Sequence, residues 1–131
     1  MQQLGLDRED EYYERLRGEA PRIVEAELRN LLNLVTVTET CFFRDASQFR
    51  LLREHLVPTL MASPGRNRTI RIWSAGCSSG EEAYSVALVL EDAGVYRASP
   101  DWRIQITGTD LNTSVLEKAR LGAYSDHAVR N

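Results

Sequence analysis

The sequence predicts an α/β protein, with a small helical segment (residues 1–64) followed by the first half of a doubly wound parallel-sheet domain (residues 65–131). The boundary lies in SPGRNR, Ser63–Arg68, which combines proline, glycine, asparagine and charge as linkers do. After it, Thr69–Ala75 and Trp102–Thr109 have the composition of strands, and a helical pattern follows each of them. This alternating order is typical of parallel sheets with right-handed crossovers.

Caps and apolar spacing predict two helices at the start of the helical segment. Asp7 is expected to cap a first helix that runs through Arg17 and stops at Gly18. Pro21 suits the first turn of a second helix, because that position needs no backbone N–H donor. A single apolar stripe at helical spacing follows along this second helix: Val24, Leu28, Leu31 and Val35.

A third helix is predicted after an irregular stretch. The stretch TVTETCFFR, Thr36–Arg44, is rich in β-branched and aromatic residues, so we expect it to be extended or turned. Asp45 then caps the helix, and Pro58 is expected to kink or end it. The apolar face of this helix consists of Phe49, Leu52 and Leu56.

Two further helices complete the pattern that predicts the parallel sheet. The first covers Glu81–Ala93 and directly follows the first strand and a glycine turn. The second covers Ser114–Leu121, with Asn112 or Thr113 as its cap and Gly122 as its stop.

The composition excludes several classes of protein. The chain has 131 residues, of which 43% are apolar and 27% charged, as in an ordinary soluble globular domain. Its net charge of −3 favours neither a nucleic-acid partner nor an anionic membrane surface, and no apolar run is long enough to span a bilayer. Cys41 and Cys77 form no CxxC pair and no metal-ligand spacing with His55 or His127. We therefore expect a cytoplasmic protein with reduced thiols and no metal site.

The turn after the first strand is the strongest candidate for a ligand site. In doubly wound folds, ligands bind at the carboxyl ends of the strands, where Ala75 and Gly76 stand. We predict that both bind the ligand, because Gly76 lets the backbone approach it and Gly80 allows a tight entry into the next helix. The alternative is that the two glycines make a tight turn without a ligand.

Two carboxylates decide among the ligand classes. Glu81 and Glu82 follow Gly80 at an expected exposed helix start, where a phosphate-binding loop has lysine and serine or threonine. The dinucleotide fingerprint GxGxxG is absent too. A ligand with a cationic part and a ribose remains, and S-adenosylmethionine fits, with Asp110 after the second strand available for the ribose diol. An equally weighted alternative is that the glutamates only satisfy the helix dipole and Asp110 only caps a helix.

The segment TETCFFR also supports two interpretations. Phe42 and Phe43 are by default core residues, and Arg44 is by default a surface arginine. The alternative is that this segment forms one wall of a ligand site. The wall would consist of the hydroxyls of Thr38 and Thr40, two aromatic rings and one guanidinium between two helices, which suit a carboxylate or a ribose.

Three blocks of the sequence resemble the chemotaxis-receptor methyltransferases of bacteria, the CheR family. The blocks are TVTETCFFRD, IWSAGCSSGEEAYS and TGTDLNTSVLEKARLGAY, and the resemblance covers most of Leu28–Tyr124. It implies a Rossmann-like domain that binds S-adenosylmethionine. It also implies transfer of the methyl group to glutamate side chains of chemoreceptors, with S-adenosylhomocysteine as the second product.

The resemblance also implies roles for individual residues. Thr40 and Arg44 are placed against the cofactor, and Arg44 lies nearest the transferred methyl group, as the candidate catalytic residue. Glu81 is placed at the methionine part of the cofactor and Asp110 at its ribose. Thr38 stands where the family has asparagine, and its hydroxyl allows a similar contact.

Members of the CheR family are longer than this chain, so we expect a fragment of such an enzyme. Its partner would be the cytoplasmic region of a chemoreceptor, and its open sheet edges would promote self-association. Two alternatives stay open: a non-catalytic remnant that binds S-adenosylmethionine or another protein in chemotaxis-like signalling, and a nicotinamide dehydrogenase. The missing GxGxxG motif argues against the dehydrogenase.

Overall fold

The computed structural model describes residues 9–62, 68–98 and 101–129. By packing, the chain divides into two compact units, Met1–Thr36 and Val37–Asn131. Each unit is considered by itself.

Residues 37–62, which the sequence analysis places in the N-terminal segment, pack within the second unit. The division into domains at residues 64 and 65 stays a prediction. The predicted cap Asp7 and the linker residues Ser63–Asn67 lie outside the described part of the chain.

The first unit is a pair of helices, α1 (Glu9–Gly18) and α2 (Pro21–Val35). Pro21 occupies the first turn of α2, as predicted. The Tyr12 hydroxyl donates a hydrogen bond of 2.9 Å to Oε1 of Glu27 and links the two helices. Helix α2 buries none of its residues, so the predicted apolar stripe is not covered within this unit.

The second unit is built on a two-stranded parallel sheet. Strands β1 (Thr69–Ala75) and β2 (Arg103–Thr109) pair in register over their whole length, with Ile72 opposite Ile106. A helix that connects them across one face confirms the predicted strand–helix–strand unit. The arrangement is that of the first half of a Rossmann-like domain.

Among the described residues, only one face of this sheet is covered. A buried cluster packs against it, formed by Val57, Val86, Leu90 and Val95, with Phe49, Leu52, Met61, Ile72, Ile104 and Ile106 partly buried around it. Side chains alternate along a strand, so Trp73 lies on the opposite face, where it is 71% exposed. Its indole N–H donates to the Thr109 hydroxyl at 2.9 Å.

Three helical pieces follow one another directly on the amino-terminal side of the sheet: α3 (Ala46–Leu51), a π-helical turn (Leu52–Leu56) and α4 (Val57–Ala62). Asp45 caps α3, because its carboxylate accepts the backbone N–H groups of Ser47 and Gln48. The Ser47 hydroxyl also donates to the Asp45 carboxylate. This bond, followed by the backbone bonds, lowers the pKa of Asp45.

The sequence analysis predicts that Pro58 kinks or ends the helix, and the second outcome is wrong. The helix runs past Pro58. It continues for four more residues. The π turn ends two positions before Pro58, and the N–H of Val57 donates five residues back to the carbonyl of Leu52. The wider turn relieves the clash between a proline ring and the carbonyl one turn earlier. The Thr59 hydroxyl donates to the carbonyl of His55 at 2.7 Å and adds a bond at this point.

Four further helices belong to this unit: α5 (Glu81–Asp92), α6 (Val95–Ala98), α7 (Thr113–Leu121) and α8 (Asp126–Val129). Asn112, one of the two predicted caps, accepts the N–H groups of Ser114 and Val115 and starts α7. Gly122, with φ +60°, ends it as predicted. Among the described residues, no helix combines the length and apolarity needed to cross a membrane.

Candidate functional site

The carboxyl ends of β1 and β2 are tied together by the loop that follows β1. The N–H groups of Gly76 and Cys77 both donate to the carbonyl of Thr109, at 2.7 and 2.9 Å. The loop then alternates through left-handed residues, with φ +73° at Gly76, +48° at Ser78 and +98° at Gly80. Such alternation turns successive backbone groups toward one side of a loop.

Gly80 is required by space as well as by conformation. A β-carbon there would lie 2.9 Å from the Tyr124 hydroxyl and 3.0 Å from the β-carbon of Ala119. The close approach seats the start of α5 against α7, and the Tyr124 hydroxyl donates to the carbonyl of Ser79 at 2.6 Å.

Gly80→Ala should therefore destabilise the fold by roughly 2–4 kcal/mol, through backbone strain and overpacking together. Gly94→Ala is the matched control, because Gly94 has a similar φ of +71° and open space around its α-carbon. It should cost only about 1–2 kcal/mol, from strain alone. Urea unfolding of both variants measures the difference, and equal losses would show that the contact with α7 contributes nothing.

A polar pocket of about 180 Å³ lies beside this loop. It is lined by Val37, Glu39, Thr40, Cys41, Arg44, Phe49, Gly76, Cys77, Ser78 and Glu82. The structure therefore brings together three of the predicted site residues, Thr40, Arg44 and Gly76. Its volume is below the ~300–1,000 Å³ of pockets that enclose a whole ligand, so it is suited to hold one part of a ligand.

Two acidic residues line this pocket, Glu39 and Glu82, whereas the sequence analysis assigned the role to Glu81, which does not line it. Glu82 is exposed, and the Ser74 hydroxyl donates to its Oε1 at 2.6 Å. Glu81 is only 5% exposed, and both of its carboxylate oxygens accept from the Ser79 hydroxyl. Neighbouring residues on a helix project about 100° apart. The sequence therefore predicts that two adjacent glutamates lie in different environments, but it does not predict which one faces the ligand.

Asp110 stands at the end of β2, as predicted, but does not line the 180 Å³ pocket. Its Oδ2 accepts the N–H of Ser78 and its Oδ1 accepts the N–H of Asn112, both at 2.8 Å. The carboxylate thus joins the two loops that follow the strands. A carboxylate oxygen can accept two hydrogen bonds, so these contacts leave Asp110 able to accept further bonds from a diol.

The two other predicted residues do not line the pocket. Thr38 has an exposed side chain, and its carbonyl accepts from the Ser78 hydroxyl at 2.7 Å. Ala75 is exposed at the last position of β1, next to Gly76.

The charges around the loop favour a cation. Burial raises the pKa of the Cys77 thiol, and the nearby carboxylates of Asp110, Glu82 and Glu81 raise it further. Burial, followed by the charge of Glu81, raises the pKa of Tyr124 to about 12. Both raised pKa values favour the neutral thiol and the neutral phenol at physiological pH. Arg44 brings a positive charge to the pocket lining, where its Nη1 donates to the carbonyl of Glu39 at 3.0 Å.

A larger cavity of about 420 Å³ lies between α5, α7 and β2. Its described lining is mainly apolar and small, with Ala83, Ala87, Ile106 and Leu116 among it, and carries no carboxylate. The smaller pocket is therefore the better candidate site for a cationic ligand.

Comparison with known proteins decides the family. Residues 38–131 match the sequence model of the CheR methyltransferase, SAM binding domain. The chain belongs to the CheR methyltransferase family. The resemblance read from the three sequence blocks is confirmed, and every lining residue of the polar pocket except Val37 lies within the matched residues.

Curated relatives support the assignment to the CheR family. The chain is 41% identical over 106 residues to chemotaxis protein methyltransferase 2 of Vibrio cholerae, covering 80% of this chain and 35% of the relative. It is 36% identical over 107 residues to a chemotaxis protein methyltransferase of Borreliella burgdorferi, covering 80% and 38%. It is 38% identical over 130 residues to the probable biofilm formation methyltransferase WspC of Pseudomonas aeruginosa, covering 99% and 28%. The chain thus spans less than half the length of these three relatives.

Proposed function

We propose that this CheR-family chain binds S-adenosylmethionine at the polar pocket, as part of a methyltransferase that acts on glutamate side chains of chemoreceptors in the cytoplasm. The observation that carries the proposal is that Glu82, which accepts from the Ser74 hydroxyl, and Arg44 line one pocket at the carboxyl ends of the strands. The match to a SAM-binding family supports the choice of cofactor.

The donor set suits this cofactor. The Glu82 carboxylate would face the cationic amino and sulfonium groups, and the Thr40 hydroxyl and the backbone at Gly76 would complete the wall. The Asp110 carboxylate, fixed by two backbone N–H groups, would accept the ribose hydroxyls. Glu82 takes the role that the sequence analysis gave to Glu81. Thr38 and Ala75 stay candidate contacts for parts of the cofactor beyond the 180 Å³ pocket.

The proposed methyl transfer depends mainly on how the two reactants are positioned. When bound, S-adenosylmethionine supplies a methyl group activated by the positive sulfur, and the product would be S-adenosylhomocysteine. A substrate glutamate is already ionised at neutral pH, so no general base is needed. Arg44 would hold the incoming carboxylate in line by a charged, directional contact, and it is our candidate catalytic residue.

Calorimetry tests the cofactor assignment. The parent chain should bind S-adenosylmethionine and S-adenosylhomocysteine, and Asp110→Asn should bind both more weakly. NAD serves as the comparison ligand, because the dehydrogenase alternative requires it. Binding of NAD without binding of S-adenosylmethionine would overturn the proposal.

A second candidate is a binding module without activity of its own. A pocket suited to one part of the cofactor agrees with that alternative. A radiolabelled methyl-transfer assay on the cytoplasmic region of a chemoreceptor separates the two. Transfer above background establishes the enzyme, whereas cofactor binding without transfer supports the binding module.

We also propose that the chain self-associates through its sheet. The described part of the chain has one sheet of two strands, and each strand leaves an unpaired edge. The uncovered face adds the exposed ring of Trp73. Light scattering should give a mass of at least twice 14.9 kDa at high concentration, and a constant 14.9 kDa would contradict the proposal.

A further inference from the structure

The segment 37–44 forms one wall of the polar pocket without belonging to a helix or a strand. It contributes both Thr40 and Arg44. Its position therefore depends on individual contacts. They come from the loop after β1, from α5, from Phe49 of α3 and from α8, where the carbonyl of Ala128 accepts the N–H of Phe42 at 3.0 Å.

Ser85 makes the most deeply buried of these contacts among the described residues. It is 0% exposed in the middle of α5, and its hydroxyl donates to the carbonyl of Glu81 at 2.6 Å. The same oxygen accepts the backbone N–H of Phe43 at 3.0 Å. A serine that bonds back to its own helix keeps its lone pairs free for such a partner.

The left-handed backbone of Phe43 requires a stabilising contact from outside the segment. Its φ is +54°, a region that residues with a β-carbon rarely adopt unless their surroundings impose it. The Phe43 ring packs edge-on against Phe49 at 5.4 Å between centroids, which fixes the side chain. The hydrogen bond to Ser85 fixes the backbone itself, and the direction of the chain at Phe43 sets where Arg44 leaves it.

We propose that Ser85 is a positioning residue that holds Phe43 left-handed and so keeps Arg44 in the cofactor pocket, an inference that rests on the proposed function of that pocket. Ser78 provides a second anchor, because its buried hydroxyl donates to the carbonyl of Thr38 at 2.7 Å. The two serines hold the segment at both ends before any ligand arrives. Such preorganisation lowers the ordering cost of binding.

Ser85→Ala in the 131-residue chain tests the role of the hydroxyl. Alanine is a better helix former than serine, so α5 is expected to persist. The affinity for S-adenosylhomocysteine should fall by about tenfold, the worth of one hydrogen bond. In NMR spectra, the Phe43 amide should lose protection from hydrogen exchange, and its carbon shifts should leave the left-handed range.

A double-mutant cycle with Arg44→Ala separates positioning from general support. If Ser85 acts through Arg44, Ser85→Ala should change affinity little once Arg44 is gone. An equal loss in both backgrounds would show that Ser85 is merely structural. Ser85→Cys is the second variant in case the alanine form does not fold, since the slightly larger sulfur leaves no cavity and accepts hydrogen bonds only weakly.

The NMR readout is independent of the cofactor. If the parent chain binds no S-adenosylhomocysteine, the proposed function fails while the hold on Phe43 remains testable. If Phe43 stays left-handed and protected in Ser85→Ala, the positioning role is overturned whether or not the cofactor binds.

Discussion

Glu82→Lys should abolish binding of S-adenosylmethionine, lowering its affinity by at least about 100-fold. A hydrogen bond to a charged group contributes about 1.5–3 kcal/mol, and the new ammonium adds repulsion toward a cationic ligand. The fold should persist, because Glu82 is exposed at the start of α5. Calorimetry measures the affinity, and circular dichroism checks the helical content.

Glu81 is the matched control one residue away. Glu81→Gln keeps the size of the side chain and its contact with the Ser79 hydroxyl, so cofactor affinity should stay close to that of the parent. Glu81→Lys should instead destabilise the fold, because it places an ammonium in a site that is 5% exposed. Loss of binding in Glu81→Gln but not in Glu82→Gln would restore the assignment made from sequence.

This pair of glutamates shows what sequence could and could not predict about the site. The turn, its two glycines and the acidic helix start were all predicted from local residue types, and the helix caps Asp45 and Asn112 were too. Each of those features depends on a few neighbouring residues. Which of two adjacent carboxylates lines a pocket depends on long-range packing. Here the Ser79 hydroxyl bonds Glu81, and Glu82 lines the polar pocket.

The remaining differences have the same origin in long-range contacts. Nothing in the residue type of Phe43 predicts a left-handed backbone, because the hydroxyl that holds it lies 42 residues later in the chain. The helix runs past Pro58 because a π turn precedes it, and no local pattern predicts that turn. Periodicity, in contrast, predicted both strands and their parallel pairing, since a strand–helix–strand order leaves few topologies.

Leu90→Ala should cost about 2–5 kcal/mol of the free energy of unfolding, the largest stability effect we expect from a single truncation. Leu90 is 0% exposed in the buried cluster of the second unit. Removing its side chain leaves a cavity between α5 and the elements that pack on it. Urea unfolding followed by circular dichroism measures the loss.

Leu88→Ala is the matched control in the same helix. Leu88 is 51% exposed, so the same truncation removes little buried surface and should change stability by no more than about 0.5 kcal/mol. Both changes replace leucine with alanine in α5, so helix propensity cancels between them. Equal losses would mean that the buried cluster does not stabilise the fold.

The Leu90 variant also tests where the cooperative unit begins. The buried cluster joins Leu90 to Val57 of α4, so the helical pieces from Ala46 to Ala62 should lose protection from hydrogen exchange together with β1 and β2. A domain boundary at residues 64 and 65 predicts the opposite, because the helices would then stay protected while the sheet opens. Joint loss of protection would place residues 37–64 in the cofactor-binding unit, where Thr40 and Arg44 already line the pocket. Separate loss would support the division made from sequence and would make the pocket a junction between two folding units.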